Sequence, residues 1–231
     1  MLAWRAEGML PTLPALEIGD RFLEVQVPCP DISIGIRREL LLEKLQLRDG
    51  GPEERILPTS LELQDLLFPV DGKEQPPAVY FPFLTIEAKP YAAGGTLFEA
   101  QNQAAVSGCY MTHMQERVVK ISQRYHPLWH TRHPLAFSIC TEGPQMELWA
   151  HYMNTECGER VYRMSMLQTC NVAFQETVTD FLATVSAILT WGGFTLWPDI
   201  AKQLAKVEES ACCVQAAIEE YNASRREAAA N

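Results

Sequence analysis

The residues best suited to chemistry are Glu87 and Lys89, which end an apolar run from Phe83 to Lys89 bounded by Pro82 and Pro90. A run of this composition is read as a buried strand, and residues two apart on a strand project to the same face. A carboxylate and an ammonium therefore share one wall. Burying either charge in such a strand is costly unless it is paired or bound to a metal. Pro30-Asp31 opens an earlier alternating run, Asp31 to Ile36, from which a second carboxylate can converge on Glu87 if the two strands are neighbours. Two carboxylates with a backbone carbonyl and water form a hard oxygen site suited to Mg²⁺ or Mn²⁺.

The elements that would position these groups are legible as patterns. Phe22 to Val27 and Asp31 to Ile36 alternate as two neighbouring strands, and residues 1–20 read as an irregular lead-in. Arg37 to Gln46 fits either a continued strand or a short helix. Residues 47–78 carry prolines at 52, 58, 69, 76 and 77 and read as an insertion. Leu97 to Ser122 has helical spacing, with Thr96 placed to cap it. Ala136 to Cys140 and Met146 to Tyr152 flank a turn-rich link as a hairpin, and Arg160 to Leu167 continues as a strand. Two helices follow, over 172–191 and 198–225, the first expected to stop at the Gly192-Gly193 pair. The order predicts an α/β or α+β fold with a mixed sheet, organised as a lead-in (1–21), a main domain (22–195) and a C-terminal helix with a tail (196–231).

Composition limits the alternatives. The 231 residues are 47% apolar and carry a net charge of −10. An acidic surface of that size repels phosphate backbones at long range, which excludes a histone-like binder and leaves nucleic-acid contact to a local basic patch. Seven scattered cysteines without a CxxC pair give neither a disulfide framework nor a zinc ribbon. The N-terminus lacks the pattern of a signal peptide, so an intracellular location, cytoplasm or nucleus, is expected. Phe181 to Pro198 carries no charge, but its threonines, serine, glycine pair and proline favour a core helix over a membrane span.

Beyond the bare motif, four segments carry a family resemblance. They are Cys29-Pro-Asp-Ile-Ser-Ile-Gly-Ile36, Phe81-Pro-Phe-Leu-Thr-Ile-Glu-Ala-Lys89, Ala100-Gln-Asn-Gln-Ala-Ala105 and Glu147-Leu-Trp-Ala-His151. Over residues 22–190 the chain resembles the fungal PD-(D/E)XK nuclease-like proteins of the restriction-endonuclease-like superfamily. The resemblance implies a mixed sheet flanked by helices, with Asp31 and Glu87 binding a divalent ion. It implies that Lys89 orients the attacking water or offsets transition-state charge, and that Gln103, with Gln101 as the lesser candidate, faces the site from the following helix. The function it implies is divalent-metal-dependent phosphodiester hydrolysis. No helix before Phe22 supplies a further acid, and no QxxxY follows Lys89, which sets the chain apart from the exonuclease branch.

Other signals lead elsewhere. His126, His130 and His133 are interrupted by Pro127 and Pro134 and read as a loop rather than a zinc site. With Arg117, Lys120, Arg124 and Arg132 they mark the best local basic patch, near residues 117–132, for DNA or RNA. No GxSxG elbow, GxGxxG or Walker loop is present. Trp149/Tyr152 and Trp191/Trp197 read as core. Ile200, Leu204, Val207, Ala211, Val214 and Ile218 form one stripe on the last helix, which covers its own domain or joins a homodimer. The contrasting functional class is an inactive or repurposed member of the fold, adapted to a small molecule or serving as a protein-binding or dimerisation module. No membrane partner is expected.

Overall fold

A computed structural model describes residues 2–6, 17–18, 21–22, 29–47, 57–67, 79–127 and 133–230, with the first three segments and 224–230 by backbone alone. Strands β1 (Leu2–Ala6), β4 (Ile32–Arg37), β5 (Val79–Lys89), β6 (Leu135–Glu142), β7 (Gln145–Glu156) and β8 (Glu159–Asn171) form one sheet in the order β1-β4-β5-β6-β7-β8. A separate two-stranded pair joins β2 (Glu17–Ile18) and β3 (Arg21–Phe22). The sheet is mixed: β5 and β6 run parallel and every other neighbouring pair is antiparallel. A parallel pair needs a crossover, and here it is the helix α3 (Leu97–Tyr125), numbered after α1 (Arg38–Lys44) and α2 (Leu61–Leu67).

The cap on α3 forms as its residues require. The Glu99 N–H donates to Thr96 Oγ1 at 3.2 Å and the Thr96 N–H donates to Glu99 Oε2 at 2.9 Å, a reciprocal box that satisfies two terminal donors. The Leu97 N–H donates to Glu142 Oε2 at 2.6 Å, tying the helix start to the end of β6. Along the helix, Ala100 and Ala104 pack on buried Cys140, with Leu97, Trp149 and Met164 around them. Gly108 allows close approach to β7, since a Cβ there would overlap the His151 ring. His151 shares a 2.8 Å hydrogen bond with Ser138, and burial lowers its pKa to about 4, so it is neutral at physiological pH.

Helix α4 (Gln175–Trp191) meets the opposite face, where Phe83 and Phe137 both set their rings edge-on to Trp191 at centroid distances of 5.9 and 5.6 Å. Trp149 of β7 and Trp191 of α4 thus both serve packing. The expected stop at Gly192-Gly193 does not occur. Gly192 is right-handed (φ −58°, ψ −43°), and the chain continues through a π-turn, Gly192–Leu196, into α5 (Trp197–Ala230). Its glycine serves packing instead, because a Cβ would overlap the Phe83 ring. Gly192→Ala is therefore expected to destabilise by about 1–3 kcal/mol through overpacking, read from chemical denaturation. An unchanged midpoint would refute that role. The helical stretch Gln175–Ala223 is long and apolar enough to cross a membrane by length and composition, with 22% of its most apolar window buried. Phe181 and Ile188 are buried while Leu182 is exposed, so α4 buries one face rather than being a core helix throughout.

Several expectations change. Leu2–Ala6 is a strand within the supposed irregular lead-in, and β4 lies between β1 and β5. Of the strand expected over 22–27, residues 23–27 lie outside the described residues, as does most of the insertion apart from α2. Within Arg37 to Gln46, Arg37 ends β4 and Arg38–Lys44 form helix α1. The chain forms two compact units: Met1–Arg38, Pro77–Arg117 and Thr131–Trp197 make the first, and Glu39–Pro76, Val118–His130 and Pro198–Asn231 the second. In the second unit the Thr59 and Ser60 N–H groups donate to Glu208 at 2.6 and 3.4 Å, and His126 bonds Ser210 at 3.1 Å. The insertion and the C-terminal helix thus belong to one discontinuous unit.

Candidate active site

Strand register brings the two acids together. Ile32 faces Ile86 across the antiparallel β4–β5 pair, so the preceding Asp31 stands beside Glu87. Directly opposed side chains on adjacent strands have Cβ atoms about 5 Å apart. The Ala88 N–H donates to Asp31 Oδ2 at 2.6 Å, fixing that carboxylate at the end of β5. Glu87 is only 1% exposed, and Ser107 Oγ of α3 donates to its Oε1 at 2.9 Å. Each acid thus has one oxygen held by the protein.

Burial pushes the Glu87 pKa from 4.5 up to about 7; the Ser107 hydrogen bond opposes this, the Asp31 charge adds to it, and Lys89 opposes it. Register and the Ala88 hydrogen bond set Asp31 beside Glu87 at the end of the β4–β5 pair. Lys89 shares the Glu87 face by strand alternation. A carboxylate whose ionised form is disfavoured by burial and a neighbouring acid gains most from a cation. Two adjacent carboxylates are hard oxygen donors of the kind a divalent ion takes. No group of three or more His, Cys, Asp or Glu suited to a metal occurs among the described residues, so two carboxylates would carry it.

The row continues across the sheet through Cys140 and Glu147. Glu147 accepts from Gln101 Nε2 at 2.8 Å and from Trp149 Nε1 at 2.9 Å. Two strand spacings, about 10 Å, separate it from Glu87, too far to share one ion. Cys140 lies between them as a neutral thiol, its pKa pushed up to about 12 by burial and then by Glu147 and Glu87. A thiol is also a soft donor, poorly matched to a hard ion such as Mg²⁺.

Of the two glutamines, Gln101 is committed to Glu147, and Gln103 is exposed with its flank set by Ser107 one turn on. It is Ser107, which sequence reading did not single out, that touches Glu87. Its signal was present: it follows Ala100 and Ala104 at helical spacing on the sheet-facing stripe. Ser107→Ala removes the one hydrogen bond holding the Glu87 pKa down, so the pH at which Glu87 ionises should rise, measured by ¹³C NMR titration of its carboxyl. A fall would contradict this arrangement.

Outside the site, His126 pairs with Ser210 and His130 lies outside the described residues. Arg124 is ion-paired with Glu62, which removes one cation from the expected basic patch, and Arg132 lies outside the described residues. Arg160 of β8 pairs with buried Glu116.

Residues 15–204 match the model of the domain of unknown function DUF7924. The chain belongs to that family. No curated protein and no solved structure matches this DUF7924 chain.

Proposed function

We propose that this DUF7924 protein is a divalent-metal-dependent phosphodiester hydrolase of the PD-(D/E)XK type, with a restriction-endonuclease-like core. The observation that carries the reading is the meeting of Asp31, buried Glu87 and Lys89 at the end of two adjacent strands. Asp31 and Glu87 would hold Mg²⁺ or Mn²⁺. Such an ion supplies a Lewis acid for the phosphoryl oxygen and a lowered pKa for water. Asp31 is oriented by the Ala88 N–H and Glu87 by Ser107, so neither carboxylate must be ordered when the site fills. Lys89 supplies a fixed positive charge where a phosphoryl group would gain negative charge. DNA or RNA is the substrate class.

Calorimetric titration with Mn²⁺ tests the site: the binding heat is expected in the wild-type protein and lost in Asp31→Ala/Glu87→Ala. A heat that survives in the double variant overturns the assignment. A second reading, a fold retained for binding rather than turnover, is favoured by the net charge of −10 and by the pairing of Arg124 with Glu62. It predicts no cleavage of any nucleic acid with Mn²⁺.

A further inference from the structure

Helix α5 carries an apolar stripe whose burial changes part-way along. Ile200, Leu204, Val207 and Ala211 are at most 8% exposed, whereas Val214, Ile218 and Tyr221 are 57%, 48% and 62% exposed. From Ile200 to Tyr221 these positions alternate four and three residues apart. That is the heptad spacing by which one helix seats its side chains between those of another. Within its own unit α5 is held up to Cys212, whose Sγ lies 3.2 Å from Thr59 Oγ1. Residues 213–223 are exposed throughout. Three consecutive seam positions thus lie on a helical face that no described residue covers.

The chemistry beside the seam selects the occupant. With Ile218 at the a position and Val214 and Tyr221 at d, the flanking e and g positions are Gln215, Asn222 and Ala217, all uncharged. Glu219 and Glu220 fall at b and c, on the outer side, where Gln215 donates to Glu219 at 2.7 Å. Charged e and g positions normally choose a foreign partner by sign. This seam has no such code, and two chains of net charge −10 can meet along it without like charges facing.

We propose that residues 214–221 of α5 pair with the same segment of a second copy of this chain, in a parallel two-fold helix pair seated on Val214, Ile218 and Tyr221. In the parallel, in-register pair Ile218, at the a position, meets its own counterpart. A seam of three core positions, little more than one heptad, lies below the size of stable interfaces, so association falls in the micromolar range. This pairing does not depend on the proposed hydrolase activity.

Sedimentation equilibrium of the full chain tests it. The wild-type mass is expected to rise with concentration from 26.0 kDa toward twice that value. Ile218→Glu should stay at the monomer mass at the same concentrations, with an unchanged melting temperature because Ile218 is half exposed in the single chain. In a Cys212→Ser/Cys213→Ser background, Ile218→Cys should form an intermolecular disulfide on mild oxidation. A wild-type chain that remains at 26.0 kDa up to about 200 µM overturns the proposal. So does an Ile218→Glu chain that still dimerises, or one that melts early, which would place Ile218 inside its own fold.

Discussion

Lys89→Ala is expected to lower Mn²⁺-dependent cleavage of DNA or RNA by about 10²–10³-fold, the usual cost of removing one fixed charge that stabilises a transition state. The melting temperature should hardly move. Lys89 is partly exposed at the end of β5, and Glu87 takes its hydrogen bond from Ser107 rather than from the lysine. Mn²⁺ binding should survive as well, because in the proposed site the two carboxylates would hold the ion. Rate assays on labelled single- and double-stranded oligonucleotides, with calorimetry beside them, separate these effects. Loss of cleavage with binding retained is the predicted pattern. Unchanged cleavage would remove Lys89 from the chemistry.

Glu87→Gln should abolish Mn²⁺ binding yet stabilise the ion-free protein at pH 8. The sign follows from its raised pKa. Below pH 4.5 the group is neutral whether the chain is folded or unfolded. Between 4.5 and about 7 the unfolded chain releases the proton while the folded protein retains it, so stability falls as pH rises and the loss is complete above the folded value. A difference of this size corresponds to on the order of 3 kcal/mol. Glutamine keeps the Ser107 hydrogen bond through its carbonyl oxygen and carries no charge, so the variant should escape the loss. Melting temperatures from pH 4.5 to 8 in the presence of a chelator should diverge, with wild type falling below Glu87→Gln. Adding Mn²⁺ at pH 8 should raise the wild type only. Parallel pH profiles would show that Glu87 is not held in an unfavourable charged state.

Much of this arrangement was written locally in the chain. Thr96 and Glu99 three residues apart announce a helix start, the 136–152 run announces a hairpin, and Glu87 and Lys89 two apart must share a strand face. Their outcome depends on neighbours in sequence, where periodicity is informative. What sequence left hidden depends on distant partners. Leu2–Ala6 becomes a strand by pairing with β4, an encounter between segments about 30 residues apart. Gly192 reads as a helix stop from its own neighbourhood, but the Phe83 ring, over 100 residues earlier, decides its role. Gln103 was favoured as the helix residue facing the site, and Ser107 reaches Glu87 instead, because a short hydroxyl fits where α3 lies close to the sheet. The second unit draws on three separated stretches of chain, which no linear boundary can express.

Anomalous diffraction from a crystal soaked in Mn²⁺ tests the central claim most directly. A single strong peak within coordination distance of both the Asp31 and Glu87 carboxylates is the predicted result, lost in Asp31→Ala crystals. A Mn²⁺ peak elsewhere in the molecule with none between residues 31 and 87 would contradict it.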